Sequence, residues 1–286
     1  MGKYPRVLIF DCMAICHYVK HSLRAMQSHS GTASGVLYGF MGTVLRVSTR
    51  FPAKYHVFAW DSRNSVRKEM FSGYKAGRVK KDKTEAELIE DQEFFDQVDL
   101  LREEVLKELG FPNVFTADGF EADDIIAEVT RIPKFRHFMV SRDHDLLQLL
   151  DRNVVMVDYM KLQVVTLADF KERYGIEPRE WCRVKALAGC STDCVPGVKG
   201  VGEKTALKYL LGELPPHTKA HQSIVSPEGR QIYRRNRRLV RLPHPAFPHE
   251  YTILRNQTNP DKFLKFFKKY DMDSYAKDIE RFSVLY

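Results

Sequence analysis

Residues 6–11 read RVLIFD and residues 55–61 read YHVFAWD; each is an apolar run that stops on an aspartate. Both read as strands, and further runs of the same kind follow at NVFTA (113–117), HFMVS (137–141) and VVMVD (154–158). Amphipathic stretches separate them, with helices expected to start after Asp11, near Ser34, near Thr84, at Glu121 and at Asp143. Val98, Leu101, Val105 and Leu109 recur at helical spacing, which predicts one long helix within 84–110 whose charged beginning is exposed. Strand–helix alternation over residues 1–165 implies an α/β domain with a mainly parallel central sheet. From about residue 166 the chain turns helical. TLADFKERYG and EPREWCRVKALAG read as helices, the first with an Asp cap and a glycine stop, and the tail from about residue 228 is helical and basic. Residues 166–286 are expected to form a smaller helical region that packs back on the first without a flexible linker.

The 286 residues are 44% apolar and 29% charged, the balance of a soluble globular protein with one large core. No apolar run approaches the roughly 20 residues that span a membrane. The start, MGKYPRVLIF, lacks the features of a secretory or myristoylation signal. The odd count of cysteines (Cys12, Cys16, Cys182, Cys190, Cys194) reads as reduced intracellular thiols, since C-x-x-x-C without histidine partners is looser than a structural zinc pattern.

Acidic residues stand at the ends of these strands. Asp11 and Asp61 close their runs, Glu121, Asp123 and Asp124 open FEADDIIAEV, and Asp143 and Asp145 follow FMVS, while Asp193 lies in GCSTDCVPG. Strand ends of a parallel sheet converge on one edge, where ligands bind. Helix capping accounts for one or two of these acids, not for all. Together they point to a hard-metal site, magnesium or manganese ahead of calcium. The chain as a whole carries a net charge of +8, and KAGRVKKDK (75–83) and RRNRRLVR (234–241) are its densest basic runs. A cationic surface around an acidic metal centre suits a polyanion, most simply nucleic acid. In PGVKGVGEKTA, glycines 197, 200 and 202 let the backbone approach a ligand, and a helix expected from Thr205 offers its amides to a phosphate. The spacing is not that of a Walker A loop and reads as a helix–hairpin–helix turn.

GYKAGR (73–78), EADD (121–124), SRDHDLLQLL (141–150) and GCSTDCVPGVKGVGEKTA (189–206), in this order, resemble the signature blocks of the 5′-nuclease family. That family comprises the 5′→3′ exonuclease domain of bacterial DNA polymerase I and the stand-alone flap endonucleases of bacteriophages and bacteria. The resemblance implies a PIN-like sheet with a helical arch over about 79–110, a helix–hairpin–helix at 195–212 and two Mg2+ (or Mn2+) ions. Asp11, Asp61, Glu121 and Asp123 would hold the first ion, with Asp124 behind them. Asp143, Asp145 and Asp193 would serve the second, Asp143 lying near both.

By the same resemblance Lys75 and Arg78 would reach the scissile phosphate, with Arg67 a further phosphate contact. Tyr74 would either stack on an end base or pack in the core. Lys199, Gly200, Gly202, Lys204 and Thr205 would grip duplex backbone beside a K+ ion. The chain departs from the pattern at Cys190, where many members carry aspartate, and at Cys194, where they carry asparagine; a second site weakened for magnesium is expected. The implied enzyme is a metal-dependent 5′→3′ exonuclease and flap endonuclease acting on branched DNA, with RNA primers a further substrate. It is expected as a cytoplasmic monomer of a bacterial or phage-infected cell, without a membrane partner. The alternatives are a junction-binding protein whose metal centre has decayed and a PIN-type ribonuclease.

Overall fold

The computed structural model describes residues 4–22, 34–78, 83–248 and 250–286. Its strands are β1 (Arg6–Asp11), β2 (Tyr55–Trp60), β3 (Asn113–Thr116), β4 (Arg136–Val140), β5 (Val154–Val157) and β6 (Val164–Val165), with a separate short hairpin of β7 (Gly189–Cys190) and β8 (Val195–Pro196). The helices are α1 (Cys12–Ser22), α2 (Gly35–Arg50), α3 (Val66–Met70), α4 (Glu85–Leu100), α5 (Leu106–Glu108), α6 (Ala122–Val129), α7 (Leu167–Tyr174), α8 (Trp181–Ala188), α9 (Glu203–Leu210), α10 (Lys219–Val225), α11 (Pro227–Val240), α12 (Pro260–Lys269) and α13 (Asp273–Lys277).

The main sheet runs β3-β2-β1-β4-β5-β6, parallel except for β6. Leu8, Phe10, Phe58 and Val140 face one core; Val7, Ile9, Val57 and Met139 face the other. Both faces are covered, which is why these strands read as unbroken apolar runs. Strand order reverses about β1: β2 lies on one side of it and β4 on the other. The crevice beyond their carboxyl ends is where such a sheet binds ligands.

The long helix expected within 84–110 is present, with α4 running through a π turn at Leu101–Val105 into α5. Three sequence expectations need correction. The turn after Asp143 is a 3-10 helix, His144–Leu149, because the Asp143 carboxylate caps the Asp145 amide at once. In α7 the cap is Thr166, with Asp169 closing the capping box from the third position, and Gly175 ends the helix at φ 67°. The helix expected from Thr205 starts at Glu203. The expected arch falls partly on residues 79–82, outside the described residues. Its described part, α4, is exposed at Leu88 and Ile89 but buries Phe94 and Val98 in the first core.

The basic tail closes that core. Phe263 and Phe267 are fully buried, and Phe263 stacks in a tilted or edge-on manner with Phe111, Phe267, Phe282 and Tyr286. Before it, the chain runs along the sheet edge, with the amides of Leu254, Asn256 and Gln257 bonding to Asn113, Lys54 and Gly110. Among the described residues no helix is long and apolar enough to cross a membrane. Phe263→Ala is expected to cost about 3–5 kcal/mol in urea unfolding. A loss below about 1 kcal/mol would show the tail to be appended rather than part of the core.

Candidate active site

Asp11, the last residue of β1, stands at the centre of the crevice. Its carboxylate accepts the Ser141 hydroxyl at 2.7 Å and the Ala14 amide at 3.3 Å, so it also caps α1. Asp61, just past β2, accepts the Ala122 amide at 2.7 Å and thereby tethers the start of α6. Asp143 is exposed on the turn after β4. Burial, then Asp61 and Asp143, push the Asp11 carboxyl up to about 7, against the pull of Ser141. Asp123 is raised well above the usual carboxylate range by burial and by the charges of Asp143, Asp11, Glu121 and Asp61. Acids from four strand ends thus act on one another in one crevice. Such a set is relieved by cations and suits hard oxygen-seeking ions.

Glu121 and Asp124 share a face of the first turn of α6 and close a reciprocal cap. Their surroundings set them apart. Asp124 is fully buried; it receives Arg67 through two bonds of 2.5 and 2.8 Å, the His244 amide at 2.6 Å and the Glu121 amide at 3.2 Å. It is an anchor with no oxygen left for a metal, standing behind its neighbours. Arg67 corrects a sequence expectation: 2% exposed, it spends Nε on the Leu239 carbonyl and its other donors on Asp124, so it contacts no phosphate. Burial alone would lower the Arg67 pKa, but Asp124 and Glu121 hold it above the usual value. Tyr74 resolves to core packing. It is 4% exposed and donates its hydroxyl to Glu121 at 3.0 Å, leaving no ring face for a base. Lys75 meets the other Glu121 oxygen at 2.6 Å. Arg78 ends the short 3-10 turn Ala76–Arg78, and its side chain lies outside the described structure.

A second cluster lies beside the first. Ligand atoms of Asp145, Cys190 and Asp193 lie within 4.8 Å of one another; among the described residues no other three acids, histidines or cysteines come so close. Asp145 Oδ1 is buried without a hydrogen bond, with the Lys185 ammonium 3.1 Å away. Burial and Asp143 raise the Asp145 carboxyl to about 6, against the pull of Lys185. Two carboxylates and a thiol this close together fit a cation. The backbone clips this cluster to the first, because the Lys75 amide donates to the Asp193 carbonyl at 2.7 Å and the Gly77 amide to Cys194 Sγ at 3.3 Å. Sequence reading missed Ser141, Lys185 and His244. Ser141 and Lys185 lie inside quoted motifs or helices but carry no residue-type signal of their own.

The glycine-rich turn sits apart on the second face. Val198 and Val201 anchor it in the core, while Lys199, Gly200, Gly202 and Lys204 are exposed and Thr205 is half-buried. Gly200 takes φ +77° in open space, and a Cβ at Gly197 would meet the Ala188 carbonyl at 2.2 Å. The α8–α9 connection also contains the β7–β8 hairpin, so it is longer than a simple two-helix turn.

A parallel sheet that gathers carboxylates at its switch point, beside a lysine held in a neighbouring turn, is the frame of a nuclease. Residues 6–175 match the family described as 5′-3′ exonuclease, N-terminal resolvase-like domain. The chain belongs to this 5′-nuclease family. It is 30% identical over 234 residues to DNA polymerase I of Deinococcus radiodurans, covering 80% of this chain and 23% of that protein. The chain thus spans about a quarter of the length of such relatives. Its fold is similar to that of the T5 D15 protein co-crystallized with metal ions, at TM-score 0.71 and 22% identity, covering 98% of this chain and 100% of that one. A second structure of D15, from bacteriophage T5, is a flap endonuclease pseudo-enzyme-product complex with DNA and metal ions; it matches at TM-score 0.70 and 22% identity, over 98% and 99% of the two chains. The catalytic core of Rad2 in complex with DNA substrate matches at TM-score 0.60 and 15% identity, over 99% and 93%.

Asp124→Ala is expected to destabilise the protein by about 3–5 kcal/mol, because it strands a buried guanidinium. Denaturant titration checks this, and a loss under about 1 kcal/mol would refute the anchor role. The raised carboxyls give a sign for pH. Asp11 and Asp145 stabilise the metal-free fold fully below their ordinary carboxylate range, and that contribution is lost as pH rises through about 6 and 7. Divalent ions favour the ionised form, so magnesium is expected to raise the melting temperature more at pH 8 than at pH 5. Thermal melts in EDTA and in magnesium at both pH values test this; an equal rise at both would contradict it.

Proposed function

We propose that this 5′-nuclease hydrolyses phosphodiesters in DNA at 5′ flaps and free 5′ ends, with two divalent ions, Mg2+ or Mn2+, as cofactors. The observation that carries the reading is the crowding of Asp11, Asp123, Asp143 and Asp145 at one sheet edge, where burial and like charge keep three of them above the usual carboxylate range. The metal ions and DNA in the T5 D15 structures and the DNA substrate of Rad2 support the same reading. Asp11, Asp61, Glu121 and Asp123 would hold one ion; Asp143, Asp145 and Asp193 would hold the other. Ions bound there supply an activated water and stabilise the leaving oxygen of an in-line displacement.

The chain's own groups do the rest. Lys75, held at the crevice by Glu121, offsets charge that develops on the phosphoryl oxygens, and Arg78, three residues on, adds to it. Lys199, Lys204 and the amides that open α9 grip the duplex backbone, with Gly200, Gly202 and Thr205 shaping the turn as a helix–hairpin–helix element that also takes K+. The exposed half of α4 borders the path of a single-stranded 5′ end. The arginines of α11 and the one that follows it extend the cationic face, since Arg234, Arg237, Arg238 and Arg241 are exposed together.

Cleavage mapping on a 5′-flap DNA is the test. Asp143→Ala should abolish product, and Lys75→Ala should lower the cleavage rate about 10²–10³-fold while leaving junction affinity nearly unchanged. A wild type as inactive as Asp143→Ala, with junction binding retained, would make the protein a binder. Cleavage that survives deletion of residues 196–206, on RNA rather than DNA, would favour a ribonuclease.

A further inference from the structure

The second acidic cluster contains a donor that hard ions do not seek. Cys190 Sγ lies 3.7 Å from Asp193 Oδ2, and both lie within 4.8 Å of a carboxylate oxygen of Asp145. A tetrahedral ion with sulfur at about 2.3 Å and oxygen at about 2.1 Å separates those two donors by about 3.6 Å. The thiol spans that distance by donating a hydrogen bond to Asp193, with Thr192 Oγ1 3.0 Å from the sulfur, and an ion that replaces the shared proton keeps the spacing.

The position is built rather than incidental. Cys190 is paired with Val195 in the β7–β8 hairpin, and the hairpin is fixed to the Lys75 turn by the bond to the Asp193 carbonyl. Asp145 is fixed by the Asp143 cap on its amide and by the Lys185 ammonium, 3.1 Å from its Oδ1. The other cysteines are placed differently. Cys12, Cys16 and Cys182 are buried in the core, and Cys194 turns its sulfur to the Gly77 amide. Thiolate ligands favour zinc-like ions, whereas magnesium prefers oxygen.

We infer that Cys190 is a direct thiolate ligand, with Asp145 and Asp193, in a mixed sulfur–oxygen site that selects thiophilic divalent ions of the zinc, cobalt and cadmium class over magnesium. This rests on the metal-nuclease reading above and adds to it a difference between the two ion sites: the first is all oxygen, the second is not. Binding requires the thiol to release its proton to solvent. A carboxylate in place of Cys190 would remove the preference.

Cobalt titration of the full chain reads the sulfur directly. A thiolate-to-cobalt charge-transfer band in the near ultraviolet is expected in the wild type and in Cys194→Ser, and is expected to vanish in Cys190→Ser. Visible ligand-field bands of bound cobalt without the ultraviolet band in the wild type would overturn the proposal, as would a band that survives Cys190→Ser. The wild type gives a second measure independent of any variant's folding. Zinc or cadmium should slow alkylation of Cys190, followed by peptide mass, at least tenfold, while magnesium should not; equal rates in all three metals would also overturn it. Failure of the nuclease reading shows separately, as no magnesium-dependent cleavage, and leaves the cobalt spectrum to decide the role of the thiol.

Discussion

The bidentate pair of Arg67 and Asp124 joins the parts on which the site is assembled. It draws together α3, the first turn of α6, the last turn of α11 through the Leu239 carbonyl, and the segment at His244. Two charges taken out of water cost several kcal/mol each, so such a pair persists only when their remaining donors and acceptors are also met. Here they are met by backbone from residues more than a hundred positions away. The consequence reaches the chemistry. With Asp124 held inward, its neighbour Asp123 is turned about a quarter of the helix circumference away, toward Asp11 and Asp143. One acid of the dipeptide fixes the helix start so that the other can be presented.

The same economy of charge runs through the crevice. Glu121 is balanced by Lys75, and Asp145 shares Lys185 with Glu203. Among the described residues, Asp11, Asp123 and Asp143 have no ion-pair partner, and Asp11 and Asp123 are raised by their acidic neighbours. A chain with a net charge of +8 has cations to spare. That they are kept from these three acids leaves room for exogenous cations.

The strand ends and their aspartates were legible because a parallel strand buried on both faces is an unbroken apolar run, and its last residue is marked by a change of polarity. What the sequence could not reveal is pairing across the fold. Arg67 sits eight residues before Lys75 and reads as one more phosphate contact; only the fold brings Asp124, 57 positions on, against it. Tyr74 had two readings at the sequence level, and burial against Glu121 decided between them. PDKFLKFFKKY reads as basic, yet Phe263, Phe266 and Phe267 stand three and four apart and turn one face inward. The departure at Cys190 was visible in the order of motifs. That its sulfur faces Asp193, rather than the interior, is a property of the β7–β8 hairpin.

The two turns that meet at the site are each bent at the point of contact. Lys75 and Cys194 both take φ of +54°, a conformation that L-residues with a Cβ rarely adopt. Each would relax alone, at a cost of order 1–3 kcal/mol while it does not. Together they are held by Lys75 N to Asp193 O and Gly77 N to Cys194 Sγ. The strain is therefore local to the joint between the cationic turn and the sulfur-bearing hairpin, and it couples their positions. The turn that carries the ammonium balancing Glu121 and the hairpin that carries Asp193 therefore share one backbone joint.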